Sequence, residues 1–259
     1  MITLNTIDER PIALVTGVGR RAGIGVAVAE RLLRDGFDVG CTRWTPYDER
    51  MDWGADGSVE AHLKLVAADV GGRSLIFEYD LEKTESIPEL FNKVEDNLGV
   101  VSVLVMSHCE SVDSTVLSTT IESFDRHFSV NARASWLLIR EFGLRYQATF
   151  GAGRIVALTS DDTDGNLPYG ASKGALDRIT LAAAKEFGSK IGVTTNVVNP
   201  GPTDTGWMTE SLKALVVDRT PLGRLGTPTD VANLVSFLCS KEGGWINGQL
   251  LTSDGGGSN

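Results

Sequence analysis

The sequence lacks several features that would place it in a specialised class of protein. Its three cysteines, Cys41, Cys109 and Cys239, are far apart and odd in number, so neither a disulfide framework nor a zinc site is indicated. Basic residues are in the minority, with 24 Lys and Arg against 34 Asp and Glu and a formal net charge of -10. Such a surface repels nucleic-acid phosphates and anionic membranes, which excludes both as main partners.

Long apolar runs and targeting signals are also missing. No apolar run approaches the ~18 residues that a membrane-spanning helix needs. Residues 1–10 are predicted to be an N-terminal extension, because they lack the basic and apolar regions of a signal peptide. We therefore expect a cytoplasmic protein without a metal site. Neither an internal repeat nor a long linker divides the 259 residues, so we expect one domain spanning residues 1–259.

Short apolar or β-branched runs alternate with segments of helical periodicity. Seven runs are predicted as strands: Ile12–Thr16, Phe37–Thr42, Leu75–Tyr79, Val100–Met106, Arg154–Thr159, Val193–Val198 and Gln249–Thr252. The predicted helices are Ile24–Leu33, Ile87–Val94, Phe124–Phe142, Leu176–Phe187 and Val231–Leu238. This alternation predicts an α/β fold, a single-domain, doubly wound parallel sheet of seven strands (Rossmann-like) with helices on both faces. In such folds, ligands bind at the carboxyl ends of the strands.

A glycine-rich turn joins the first predicted strand to the first predicted helix. It reads Thr16-Gly17-Val18-Gly19-Arg20-Arg21-Ala22-Gly23-Ile24-Gly25. Glycines here let backbone N–H groups approach a pyrophosphate, whose charge the helix N-terminus also favours. The residues predicted to bind a dinucleotide are Gly17, Gly19, Arg20, Arg21, Gly23, Ile24 and Gly25. The alternative is a tight turn with two solvated arginines.

The ends of the second and third predicted strands carry the side chains expected to select the dinucleotide. Arg43, and no acidic residue, follows the second strand, and an arginine there suits a 2′-phosphate. This favours NADP(H), with NAD(H) as the alternative if Arg43 is only a surface residue. After the third strand, Asp80 and Leu81 are expected beside the adenine, unless Asp80 merely caps the following turn.

Tyr169 and Lys173 are four residues apart at the start of a predicted helix, so their side chains share one face. A free tyrosine, with a pKa of about 10, is a poor acid–base catalyst near neutral pH, and an adjacent ammonium group stabilises its phenolate. Exposed pairs of this kind are common on helices. Here, however, Ser160 ends the preceding strand and brings a hydroxyl to the same edge of the sheet, where it would bind a carbonyl oxygen.

Together these motifs resemble those of the classical short-chain dehydrogenases/reductases over nearly the whole chain. The matching residues are the turn Thr16 to Gly25, Asp80, Asn131, Ser160, Tyr169 with Lys173, Asn199-Pro200-Gly201-Pro202-Thr203 and Asp254-Gly255-Gly256. The resemblance implies an NAD(P)(H)-dependent oxidoreductase that interconverts a small carbonyl compound and its secondary alcohol. The family includes the 3-oxoacyl-acyl-carrier-protein reductases, although no residue in this sequence identifies an acyl carrier partner.

The resemblance also implies roles for the residues of the catalytic motif. Tyr169 is expected to exchange a proton with the carbonyl oxygen, while Lys173 stabilises the phenolate and holds the nicotinamide ribose. Ser160 is expected to orient the carbonyl, and Asn131 to hold a water molecule for proton relay. Further cofactor contacts are expected from Ser107, Pro200, Gly201, Thr203 and Thr205.

Two larger features follow from the same resemblance. Residues 206–218 are expected to be a mobile segment that covers the substrate, with Trp207 and Met208 lining the pocket. A homo-oligomer, either a tetramer or a dimer, is expected through the apolar faces of the helices Phe124–Phe142 and Leu176–Phe187.

Three segments depart from the family pattern. The glycine-rich turn has two extra residues between Gly17 and Gly23. Met106-Ser107-His108-Cys109 replaces the family's Asn-Asn-Ala-Gly, and we interpret His108 as a structural residue and not as a catalyst. The loop 161–168 is short and contains three aspartates, Asp161, Asp162 and Asp164.

These departures leave alternatives open. If the aspartates line the pocket mouth, they favour a neutral, hydroxylated or cationic substrate over an anionic one; otherwise they form a solvated turn. The short loop and the altered segment at 106–110 also keep two other functions in view. One is a dinucleotide-binding protein with lost or weak redox activity, a sensor or structural subunit, and the other is a non-redox lyase or isomerase.

Overall fold

The computed structural model describes residues 10–161 and 165–258. Most of the predicted N-terminal extension, together with Asp162 and Asp164, lies outside the described residues. Within that part of the chain, one parallel sheet has the strand order β3-β2-β1-β4-β5-β6-β7. The strands are β1 Ile12–Thr16, β2 Asp38–Arg43, β3 Ser74–Glu78, β4 Val101–Met106, β5 Arg154–Leu158, β6 Thr194–Asn199 and β7 Leu250–Thr252. The predicted doubly wound, seven-stranded fold is therefore confirmed.

Helices cover both faces of the sheet. The described residues contain α1 Ile24–Arg34, α2 Thr45–Glu49, α3 Val59–Asp69, α4 Ser86–Asn97, α5 Ile121–His127, α6 Ala134–Arg145, α7 Leu167–Ile191, α8 Glu210–Arg219 and α9 Pro228–Cys239. A π-helical segment, Phe128–Arg133, joins α5 to α6, and a 3₁₀ turn, Glu242–Trp245, follows α9. Among the described residues, no helix is long and apolar enough to cross a membrane.

The core has two parts, one on each face of the sheet. All residues of β1, β4, β5 and β6 are buried, as expected for parallel strands covered on both sides. One face is packed by α1, α3 and α9 with Val28, Leu32, Leu63, Val235 and Leu238. The other face is covered by α4, α6 and α7. Its core includes Phe91, Leu138 and Phe142 from the helices and Leu104 and Ile155 from the strands. Each such side chain contributes about 1.5–3 kcal/mol by leaving water.

The helices differ more from the prediction than the strands do. The segments α2, α3 and α8 were not predicted, and α8 buries none of its residues, so it has no apolar stripe to reveal it. The segment predicted as Phe124–Phe142 is α5, the π-helical segment and α6 in succession. Helix α7 is longer than predicted, and it ends at Gly192, whose φ of 68° is the left-handed conformation that glycine adopts easily.

Candidate active site

A cleft of about 700 Å³ opens at the carboxyl ends of the strands. Strand β1 lies between β2 and β4, so the strand order reverses there and the loops after β1 and β4 diverge. A crevice at such a reversal is the usual ligand site of a doubly wound sheet. The walls come from the glycine-rich turn and from the loops that follow β2, β4, β5 and β6.

The structure brings most of the predicted site residues into this one cleft. Lining residues from the predicted set are Gly17, Gly19, Arg20, Gly23, Ile24, Gly25, Arg43, Asp80, Leu81, Ser107, Ser160, Tyr169, Lys173, Pro200, Gly201, Thr203 and Thr205. Trp207 and Met208 also line it, as expected. Two predicted residues, Arg21 and Asn131, do not line the cleft.

The glycine-rich turn packs closely against neighbouring backbone, because side chains are sterically forbidden at two positions. Gly17 has a φ of 74°, and a Cβ there would lie 2.6 Å from the backbone nitrogen of His108. At Gly25 a Cβ would lie 2.4 Å from the carbonyl oxygen of Gly17. The Thr16 hydroxyl accepts a hydrogen bond from the Ser107 N–H at 3.2 Å, which ties the turn to the end of β4. Backbone therefore forms this wall of the cleft.

Arg21 lies outside the cleft, contrary to the prediction. Arg21 is exposed, and its backbone N–H donates to Asp56 Oδ2 at 2.8 Å. Neighbouring side chains in a turn point in different directions, and only Arg20 of this pair turns inward. The sequence spacing alone contained nothing to separate the two arginines.

Asn131 has a different position from the one expected of a water-holding residue. It is buried in the π-helical segment, where its Oδ1 accepts from the Glu110 N–H at 2.8 Å. Its Nδ2 donates to the Glu110 carbonyl at 2.9 Å and to Ser172 Oγ at 2.8 Å. The side chain thus joins the loop after β4 to α7, and its proton-relay role stays a prediction.

Tyr169, Lys173 and Ser160 all line the cleft. Because Tyr169 and Lys173 are one turn apart on α7, the Lys173 Nζ lies 5.7 Å from the centre of the Tyr169 ring. The ammonium donates to the Leu158 carbonyl at the end of β5, at 2.9 Å. Burial lowers the pKa of Lys173, an effect that Cys109 and Asp177 oppose. The arrangement places a cation beside a phenol, with a serine on the same wall.

His108 is buried, lines the cleft and makes structural hydrogen bonds. Its Nδ1 lies 2.7 Å from Thr16 Oγ1, and its Nε2 lies 3.0 Å from the Val130 carbonyl. Burial, with a smaller effect from the Lys173 charge, lowers the pKa of His108 to about 3. The imidazole is therefore neutral near pH 7, and its contacts agree with the structural interpretation.

Arg43 lies at the end of β2 and lines the cleft beside a carboxylate that the sequence analysis missed. Its Nε donates to Glu78 Oε2 at 3.0 Å, and Glu78 also accepts from the Thr45 N–H and hydroxyl. Glu78 is on β3, which pairs with β2 so that the two residues are directly opposite. The pairing follows from strand register, which the sequence does not display.

The loop after β6 forms the opposite wall. Thr203 is buried, with its hydroxyl 3.3 Å from the Pro200 carbonyl. Gly201 has a φ of 58°, and a Cβ there would lie 2.3 Å from the Cβ of Asp254. This glycine lets the loop pack against the segment after β7. Beyond the loop, Leu212 and Val216 of α8 complete the apolar end of the cleft.

Three further lining residues, Tyr47, Asp48 and Trp53, come from α2 and the loop after it. Asp48 is buried against the glycine-rich turn, where a Cβ on Gly19 would lie 2.3 Å from its Oδ2. Burial raises the pKa of Asp48, while the hydrogen bond from Trp53 lowers it. The only local signal for this wall was the density of aromatic residues between Trp44 and Trp53.

The charges of the cleft are of both signs. Among the described lining residues the cations are Arg20, Arg43 and Lys173. The acidic lining residues are Asp48, Asp80, Glu110, Asp113 and Asp161, of which Glu110 is paired with Arg50. Nowhere in the described residues do three or more His, Cys, Asp or Glu side chains form a group that could hold a metal ion.

Comparison with known proteins gives matches over nearly the whole chain. A family model described as "Enoyl-(Acyl carrier protein) reductase" matches residues 17–258. The uncharacterized oxidoreductase YjdA of Bacillus subtilis is 33% identical over 254 residues, covering 96% of this chain and 97% of that protein.

Solved structures agree with the sequence matches. A dehydrogenase/reductase from Sinorhizobium meliloti is 30% identical, with a TM-score of 0.84 over 96% of this chain and 95% of that one. A short-chain dehydrogenase from Burkholderia cenocepacia, solved in complex with NADP, is 28% identical, with a TM-score of 0.84 over 96% of this chain and 98% of that one.

Proposed function

This chain belongs to the short-chain dehydrogenase/reductase family, and we propose on that premise that it is an NADP(H)-dependent oxidoreductase. Its reaction interconverts a small carbonyl compound and the corresponding secondary alcohol. The observation that carries the proposal is the convergence of Tyr169, Lys173 and Ser160 in the same cleft as the glycine-rich turn. Acid–base groups and a dinucleotide-binding wall are thus within reach of one substrate.

The cleft fits a dinucleotide. Gly17 and Gly25 let the turn pack closely against the end of β4 and the start of α1, and the N-terminus of α1, where a pyrophosphate is favoured, begins within this turn. Asp80 and Leu81 line the cleft beyond the end of β3, and Thr203 and Thr205 line the far side. When bound there, the nicotinamide supplies or accepts the hydride.

The residues of this chain handle the proton and the developing charge. Tyr169 donates its phenolic proton to the carbonyl oxygen in reduction and removes the proton from the alcohol in oxidation. Lys173, held by the Leu158 carbonyl, stabilises the phenolate by its charge. Ser160 donates a hydrogen bond to the same oxygen, which stabilises the alkoxide character of the transition state.

Arg43 supports NADP(H) over NAD(H). Its Nε is held by Glu78, so the two terminal nitrogens are the groups that would reach a 2′-phosphate. The Burkholderia cenocepacia relative was solved with NADP. NAD(H) remains the alternative cofactor, because Glu78 brings a carboxylate to the place where a ribose hydroxyl would bind.

The charge distribution favours neutral or cationic substrates. Asp113 and Asp161 are exposed and line the cleft. An anionic substrate would approach these carboxylates against their field.

The test is turnover of matched ketones by wild-type protein and by Tyr169→Phe. Wild type is expected to oxidise NADPH with neutral hydroxylated ketones faster than with carboxylate-bearing ones. Tyr169→Phe is expected to lower kcat by about 10²–10⁴-fold, because general acid–base catalysis contributes on that scale. NADPH titration checks that the variant still binds cofactor.

Other outcomes would point to the two alternative functions. Cofactor binding without turnover of any ketone or alcohol, unchanged by Tyr169→Phe, would indicate a sensor or structural protein. Chemical conversion of a substrate without net change in nicotinamide absorbance would indicate a lyase or isomerase.

A further inference from the structure

The segment that enters α8 lines the cleft. Helix α8, Glu210–Arg219, buries none of its residues, so core packing does not fix it. The loop before it, residues 203–208, is anchored at its start, where the Asp204 N–H donates to the Gly226 carbonyl at 2.9 Å and the Asp204 carboxylate pairs with Lys213 at 3.2 Å. Past this anchor the loop carries Thr205 and Trp207, both of which line the cleft. The contacts of these two residues connect the loop to the glycine-rich turn and to the loop after α2.

Both residues contact a cluster built around Trp53. The Trp207 ring stacks on Trp53, with ring centres 5.6 Å apart and an angle of 25° between the planes. The Arg20 guanidinium also lies over the Trp53 ring, with its Cζ 4.1 Å from the ring centre. Arg20 Nη1 in turn donates to the Thr205 carbonyl at 3.0 Å. The glycine-rich turn is thus joined to loop 203–208 by two routes, directly from Arg20 to Thr205 and through the Trp53 ring from Arg20 to Trp207.

Asp48 orients the cluster. It accepts a hydrogen bond from Trp53 Nε1 at 3.0 Å, and its Oδ1 lies 3.9 Å from Arg20 Nε. Trp53 belongs to neither core cluster, and Trp207 is 41% exposed. Two large aromatic rings at the surface, packed on each other across the cleft instead of into the core, have little to contribute to the stability of the fold.

We propose that Trp53 is a positioning residue that fastens loop 203–208 across the cleft and so slows the release of the bound dinucleotide. The inference rests on the proposed function, since the cofactor is the ligand whose release is slowed. Cation–π and aromatic contacts of this kind each change equilibria several-fold, so together they are expected to change the release rate by about tenfold. The two extra residues of the glycine-rich turn supply Arg20, which completes the fastening.

The first experiment measures NADPH association and dissociation by stopped-flow fluorescence. Trp53→Ala is expected to raise koff about tenfold and to leave kon within about twofold, because the loop opens more often while the binding wall is intact. Trp53→Phe keeps a ring for Arg20 and Trp207 and is expected to retain most of the wild-type koff. Trp245→Ala is the matched control, because Trp245 is 98% exposed and does not line the cleft.

The second experiment tests the fastening itself, without cofactor. Stacked indoles give a coupled signal in far-ultraviolet circular dichroism, which Trp53→Ala and Trp207→Ala should both remove and Trp245→Ala should retain. Trypsin should cut after Lys213 or Arg219 faster in Trp53→Ala than in wild type, because α8 is then released more often.

The outcomes separate the inference from the proposed function. Tight NADPH binding with the same koff in wild type and Trp53→Ala overturns the inference and leaves the oxidoreductase proposal standing. Equal trypsin rates in the two proteins overturn it as well. Failure of the wild type to bind either NADPH or NADH overturns both the proposed function and the effect on release.

Discussion

At the residue scale, the surroundings of a side chain decide its chemistry. His108 and Lys173 are both buried near the cleft, and burial lowers the pKa of each. Both line the cleft, but His108 makes its hydrogen bonds as a neutral ring to Thr16 and Val130, whereas Lys173 donates to Leu158 and lies beside the Tyr169 ring. The contacts of His108 are those of a structural group, and those of Lys173 make it a candidate for catalysis.

His108 leads to a prediction for stability against pH. Its pKa is about 3 in the folded protein against an ordinary value of 6.5, so the unfolded chain binds the proton more readily between these limits. Stability from this group is fully present above pH 6.5 and is lost as the pH falls toward 3. Over this range the free energy of unfolding falls by up to about 1.4 kcal/mol for each pH unit.

His108→Asn should flatten this dependence, because asparagine does not titrate and can still donate and accept hydrogen bonds. The measurement is urea unfolding of both proteins at a series of pH values from 7 to 4. Identical slopes of unfolding free energy against pH would contradict the assignment of His108 as a buried neutral ring.

Arg43 leads to a prediction for cofactor choice. Hydrogen bonds to a charged group contribute about 1.5–3 kcal/mol, so Arg43→Leu should weaken NADPH binding by about 10–100-fold. NADH, which has no 2′-phosphate, should bind almost equally well to both proteins. Paired fluorescence titrations with NADPH and NADH measure the ratio.

Glu78→Gln is the matched control for Arg43. It removes the carboxylate that Arg43 contacts at 3.0 Å and should leave NADPH binding equal or stronger. Tighter binding of NADH than of NADPH by the wild type would contradict the phosphate-binding role of Arg43.

At the element scale, neither an apolar stripe nor a cap was enough to make a helix predictable. Helix α9 packs Val231, Val235 and Leu238 into the core, begins with a capping box and was predicted. Helix α3 has a buried apolar face and was missed, as was α8, which has Thr209 as its cap but no buried residue. The π-helical segment was missed as such because its extra residue per turn leaves no mark on a local apolar pattern.

The capping box of α9 leads to a prediction for stability. Thr227 Oγ1 accepts from the Asp230 N–H at 3.2 Å, and Asp230 Oδ2 accepts from the Thr227 N–H at 2.8 Å. Thr227→Ala should lower the unfolding free energy by about 1 kcal/mol, since the Asp230 N–H then loses its side-chain acceptor. Thr227→Ser keeps the hydroxyl and should lose much less.

Chemical denaturation of the wild type and the two Thr227 variants checks the prediction. A loss of about 1 kcal/mol in unfolding free energy corresponds to a Tm that is lower by about 2–4 °C for Thr227→Ala in a chain of this size. Equal midpoints for Thr227→Ala and wild type would mean that Arg224, which pairs with Asp230 at 2.7 Å, holds this helix end by itself.

At the scale of the whole molecule, the exposed apolar surface bears on the expected homo-oligomer. Phe124 is 39% exposed and Trp136 49%, both on the Phe124–Phe142 stretch that was predicted to contact another copy, and Ile121, just before that stretch, is 75% exposed. On the second predicted surface, Leu176 is buried and Phe187 is packed against the core, while Ala182 is exposed. Of the two stretches, the first has the large exposed apolar side chains.

Trp136→Glu should therefore shift the protein toward a smaller assembly, because burying a charge in an apolar interface is unfavourable. Light scattering coupled to size-exclusion chromatography measures the mass. Leu65→Glu is the control, since Leu65 is 72% exposed on α3, away from this stretch. The same mass for Trp136→Glu and wild type would rule out this surface as the interface.

The sequence by itself determined the sheet, the family and the main cleft residues. Strands, the turn from Thr16 to Gly25, and the spacing of Tyr169 and Lys173 are local features, written in periodicity, glycine placement and short intervals. Residues at the carboxyl ends of parallel strands must then meet at one edge of the sheet.

Only the tertiary structure decided which side chains face one another across that edge. It turned Arg20 into the cleft and Arg21 out of it, placed Glu78 opposite Arg43, and set Trp53 between Arg20 and Trp207. These arrangements depend on strand register, on the direction of individual side chains and on loops that are distant in sequence. Each of them is fixed by packing in three dimensions, for which the chain carries no local signal.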